Sequence, residues 1–182
     1  MPAAAPPVVS TPAPAAALPV PSLRRRLAAF VYEGVLLFGV LMLSALAYGL
    51  VTQQRHALVG LHGLQAFIFA VLGLYFTWFW THGGQTVAMK TWHIRLQRHD
   101  GQPVRAAQAW ARYLLSWMWF LPALAVAYVG GLHSGRLVTL ALLVNVLVYA
   151  GLTRLTPQRQ YLHDLLVRTR LVQVQPVPRK KR

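Results

Sequence analysis

One carboxylate of this 182-residue chain falls inside a long apolar run: Glu33, within Leu27 to Gln54. A charged side chain at bilayer depth is costly and is kept for a partner or a function. Arg26 precedes it by seven positions, two helical turns, so the two share nearly one helix face and stand roughly 10 Å apart along the axis. That is too far for a tight pair. Arg26 can snorkel to the headgroups, whereas Glu33 must turn inward to a partner on another helix or take up a proton. Arg112, His82 and His163 are candidate partners, all expected near the same side. Two roles stay open for Glu33: a structural hydrogen-bond or ion-pair member that fixes helix packing, or a site that binds or relays a cation or proton.

The adjacent pair His163 and Asp164 attracts a catalytic reading. Neighbouring residues on a helix point about 100° apart, however, and do not form a relay. Asp164 is expected instead to contact a basic residue of the middle loop, or Arg26. No HExxH spacing, cysteine set or carboxylate cluster offers a metal site, and no cofactor is expected. Gly83-Gly84-Gln85-Thr86 lacks the lysine and spacing of a phosphate loop and reads as a turn and helix cap. Asn145 and the small polar residues of the apolar runs suit interhelical hydrogen bonding. Because no nucleophile, base and orienter can be assembled, the chain is not expected to be an enzyme.

These residues need a membrane to hold them. The chain is 56% hydrophobic and only 12% charged, too apolar for an ordinary soluble domain. Four spans are predicted, at about residues 27–51, 64–80, 110–131 and 137–153. The third carries a kink candidate in Pro122, with a lead-in starting near Ala106, and the fourth is close to the lower length limit for crossing. Tyr75, Trp78 and Trp80 read as an interfacial aromatic belt. Three basic residues precede the first span, four lie between 82 and 106 and eight follow residue 153, whereas the intervening loops carry Arg55 and Arg136 alone. The positive-inside rule then puts both termini and the middle loop in the cytoplasm. The +15 formal charge therefore reads as an orientation signal and an attraction to anionic lipid headgroups. Nucleic acid is not an expected partner, since no basic stripe with exposed aromatics occurs.

Residues 1–22 hold seven prolines and no basic residue; without a charged start and a continuous apolar core they are read as a disordered tail and not a signal peptide. Residues 174–182 form a basic tail. In the middle loop Trp92, Ile94 and Leu96 alternate with His93, Arg95 and Gln97, and Asp100-Gly101 supplies a turn. Thr169 to Val174 alternates as well. An isolated strand is unstable in water, so residues 92–98 and 169–174 are predicted to pair. The expected fold is an all-α transmembrane four-helix polytopic bundle with a small cytoplasmic β element, its membrane domain spanning 23–173.

Three segments carry a family resemblance: Arg26 through Glu33; Gly84-Gln85-Thr86-Val87-Ala88-Met89-Lys90, continuing through Ile94-Arg95-Leu96 to Asp100-Gly101-Gln102-Pro103; and Leu162-His163-Asp164-Leu165-Leu166 through Val172. In this order and spacing the chain resembles the RDD family of membrane proteins, over about residues 22–173. Glu33 stands where the family's first aspartate is found, Asp164 matches the second, and Ala88 replaces a common glycine. The resemblance implies transport of an unidentified ligand, with cation/proton antiport proposed for some members. On that reading Glu33 exchanges a proton for a cation, Arg26 sets its field and Asp164 gates or holds the cytoplasmic mouth, with Arg112 and His163 in the same polar network. Four short spans make a narrow pathway, which points to a homo-oligomer in a bacterial inner membrane. The alternative is a non-transporting scaffold or assembly factor that binds another membrane protein.

Overall fold

The computed structural model describes residues 18–53, 60–156 and 158–175. Most of the Pro-rich tail, Arg55 and the basic tail beyond Gln175 lie outside the described residues. Helix α1 (Leu23–Thr52) starts at Ser22, whose hydroxyl accepts from the Arg25 amide, and ends at Gln53 in the left-handed region. Its 30 residues rise about 45 Å, more than the roughly 30 Å of a hydrocarbon core. Leu43 and Leu50 on it are 70% and 71% exposed; apolar side chains so bare fit acyl chains, not water. Helices α2 (Leu61–Thr81) and α6 (Gly135–Leu152) are likewise long and apolar enough to cross.

The predicted third span is not one helix. It divides into α4 (Ala106–Ser116), a 3-10 turn at Trp117–Trp119 and α5 (Leu121–Val129), with a 45° bend between the two halves. Pro122 explains the break, because it lacks the N–H that Met118, four residues back, would need, and its ring crowds that carbonyl. Asn145 on α6 answers the loss: its amide donates to the Trp119 carbonyl at 2.6 Å and to the Met118 carbonyl at 3.4 Å. Three unbroken helices and one bent pair thus make a bundle of up to four spans.

Under one end of the bundle lies a small polar-faced layer. The short helix α3 (Val87–Thr91) leads into strand β1 (Ile94–Arg98), and α7 (Leu162–Leu166) into β2 (Thr169–Gln173). The strands pair antiparallel with Leu96 opposite Leu171 and Arg98 opposite Thr169, as their alternation predicts. Ile94, Leu96 and Leu171 are buried, so the sheet turns an apolar face to the helices. In the bundle α2 packs on α4, α5 on α6, and α1 on α2 and α3. Gly73 permits the α2–α4 approach, since a Cβ there would strike the Trp110 ring.

Candidate functional site

Glu33, the most conspicuous residue of the sequence, makes none of the expected contacts. Its carboxylate accepts a hydrogen bond from the Tyr75 hydroxyl of α2 at 2.7 Å and another from the Thr86 hydroxyl. No basic side chain pairs with it among the described residues. Arg112 is engaged elsewhere, and His82 stacks on Trp78 at 3.8 Å. Thr86 is also the N-cap of α3, accepting from the Met89 amide at 3.2 Å, so its single proton is free to go to Glu33.

The loop that delivers Thr86 is tied to β1. The Gly84 carbonyl accepts from the Leu96 backbone N–H at 2.7 Å, and the Gln85 side-chain amide donates to the Ile94 carbonyl at 2.6 Å. Gly84 has φ +72°, and a Cβ at that position would overlap the Leu96 carbonyl, so only glycine lets the loop lie on the strand. The turn-and-cap reading of this segment is correct, and of the three aromatics read as an interfacial belt Trp78 is largely exposed, Tyr75 is half-buried and Trp80 does not fit. Trp80 is buried, with the Arg112 guanidinium 4.2 Å above its ring.

Arg112 and Asp164 form the second centre. The Arg112 Nε donates to Asp164 Oδ1 at 2.7 Å, and the Asp164 side chain is wholly buried. The expected partner from the middle loop, or Arg26, is thus replaced by an arginine of α4. The Thr169 hydroxyl adds a second bond to the same oxygen at 3.1 Å. Burial by itself would raise the Asp164 carboxyl, yet Arg112, His163 and these hydrogen bonds together hold it below the usual carboxylate range.

His163 lies 3.7 Å from Asp164 Oδ2, beyond a hydrogen bond, so the pair is no relay. Its backbone N–H donates to the Tyr149 hydroxyl at 3.2 Å, and that hydroxyl lies 2.7 Å from Nδ1. Burial pushes the imidazole down to about 4, so it stays neutral near pH 7.

Arg26 completes the set. One of its terminal nitrogens donates to the Arg159 carbonyl at 2.8 Å, and the guanidinium lies 4.8 Å above the Tyr161 ring. Its Nε and the Tyr161 hydroxyl are both buried without a hydrogen-bond partner. Burial pushes the Tyr161 phenol up to about 12, so it keeps its proton.

Arg26, Glu33, Arg112, Tyr161 and His163 all line one cavity of about 370 Å³, which runs along α1 as far as Leu37. Asp164 stands behind Arg112. The structure thus gathers the sequence-predicted residues at one end of the bundle, in two centres. Tyr75, Thr86 and Tyr149 were missed, because a hydroxyl in an apolar or turn segment carries no sign of its partner; Thr86 and Glu33 are joined across 53 residues. Among the described residues no group of three metal-ligating side chains is close enough to hold an ion.

Lipid-facing helices, a broken span and a buried polar network at one end define a multi-pass membrane protein. The match to the RDD family covers residues 20–168, and the chain belongs to that family. No curated protein and no solved structure matches it.

Proposed function

We propose that the protein is a transporter of the bacterial inner membrane, with its termini and sheet on the cytoplasmic side, that binds a small ligand in the cavity and exchanges a proton for a cationic group at Glu33. The observation that carries this reading is the state of Glu33: it lines a cavity, is held only by hydroxyls and has no basic partner among the described residues. A carboxylate already neutralised by an arginine would have little reason to exchange, whereas one held by neutral donors can take either a proton or a cation. Asp164 plays a different part. Sealed against Arg112, it fixes α7 and the sheet to α4 and so holds the mouth closed on that side, with no covalent chemistry required of it.

Flux in liposomes tests the reading. Purified wild-type protein should collapse an imposed proton gradient when a permeant cation is supplied, and Glu33→Gln should not; absence of any ion-dependent proton flux in the wild type defeats it. The scaffold reading draws support from the Arg112–Asp164 pair, which resembles a packing device more than a titrating site. Stoichiometric co-purification with one membrane protein, together with unaltered behaviour of Glu33→Gln, would favour it.

A further inference from the structure

The cavity is long and has unlike ends. On α1 its lining runs from Arg26 to Leu37, about 16 Å of helix rise. Its volume falls in the range of ligand pockets, about 300–1,000 Å³. Along α1 the lining passes from Arg26 through Phe30 to Glu33 and then Leu37, with Tyr161 also in the lining, and Leu72, Trp117 and Phe120 add apolar wall. A slot with an arginine at its start, a carboxylate part-way along and apolar side chains beside and beyond it suits a charged head followed by an apolar chain.

The charges in the slot are also unbalanced in a specific way. Arg112 is neutralised by Asp164, and Asp100 is taken by Arg98 at 2.9 Å. Arg26 and Glu33 are left with no charged partner among the described residues. Three residues lining the slot carry a buried polar atom without a hydrogen bond, Arg26 Nε, Trp80 Nε1 and the Tyr161 hydroxyl, and all three can donate; Arg26 is the first residue of α1 in the lining. Glu33 is nearer the apolar walls, roughly 10 Å along the axis from Arg26.

We propose that the slot binds a single-chain zwitterionic amphiphile, its ammonium next to the chain and against Glu33, its anionic group outermost against Arg26 and Tyr161, and its tail between α1, α2 and the Trp117–Trp119 turn. This deepens the transport reading by naming the ligand class of the same cavity. It needs only that the cavity binds, whether or not transport follows.

Four bromoalkyl probes of one chain length, with betaine, trimethylammonium, carboxylate or alcohol heads, test it on the full-length protein in nanodiscs through quenching of tryptophan fluorescence, Trp117 and Trp119 being at the slot. The betaine should bind about ten- to a hundredfold more tightly than the alcohol and more tightly than either singly charged head. Arg26→Gln should remove the advantage of the betaine over the cation, and Glu33→Gln its advantage over the carboxylate. Gly34→Leu, where a Cβ meets nothing within 4 Å, should fill the slot and weaken all four while leaving both charges in place. A cation or a carboxylate that binds wild-type protein as tightly as the betaine overturns the proposal, and so does unchanged binding in Gly34→Leu. Glu33-dependent proton flux without betaine preference would remove this inference and leave the transport reading standing; betaine preference without flux would do the reverse.

Discussion

Replacing Arg112 with Met should destabilise the protein more than any surface change, and the structure says by how much. The substitution keeps an unbranched stem over Trp80 but removes the charge beside Asp164, whose side chain has no exposed surface. Of the donors around that carboxylate, the Thr169 hydroxyl at 3.1 Å would remain, and His163 at 3.7 Å is out of hydrogen-bond range. Stranding one member of a buried pair costs about 3–5 kcal/mol, which for a chain of this size lowers the thermal midpoint by on the order of 10 °C. Removing both charges is a different perturbation: Arg112→Met with Asp164→Leu leaves no buried ion, and an apolar replacement of a buried pair is often close to neutral. The double variant should therefore be more stable than Arg112→Met alone, with a coupling energy of about 1–3 kcal/mol. Thermal unfolding of purified protein in detergent at pH 7, followed by tryptophan fluorescence, measures all four corners of the cycle. Additive effects, or a loss under about 1 kcal/mol for Arg112→Met, would refute the claim that the pair locks α7 to α4.

Two further outcomes rest on other parts of the polar layer. His163 is held down to about 4 against roughly 6.5 when unfolded, so the unfolded chain takes up a proton that the folded one refuses. Stability should then fall as pH drops below about 6.5, by about 3 kcal/mol near pH 4, and His163→Gln should flatten that slope in a midpoint-versus-pH series; the lowered Asp164 carboxyl adds its own loss only at still lower pH. Asn145→Leu should cost about 1–3 kcal/mol in the same unfolding assay, because the Met118 and Trp119 carbonyls at the break lose their donor.

The sequence by itself determined the class of protein, the number of apolar runs and the pairing of two short strands. Each of these follows from a local property: run length against bilayer thickness, and period-2 alternation that only a partner strand can stabilise. It also singled out Glu33, Arg26, Arg112, His163 and Asp164, since an ionisable residue among apolar neighbours is conspicuous without any coordinates. It did not determine who meets whom. A shared side of the membrane suggested Arg26 or the middle loop for Asp164, and Arg112 or a histidine for Glu33. Packing instead placed α7 beneath α4 and α3 beneath α1, which gave Asp164 to Arg112 and Glu33 to the hydroxyls of Thr86 and Tyr75. The bend of the third span was half legible: Pro122 marked it, but the donor that makes the break tolerable comes from Asn145 on another helix. Partners of this kind are set by three-dimensional packing over tens of residues, and a buried charge or carbonyl is satisfied by whatever donor the fold brings to it.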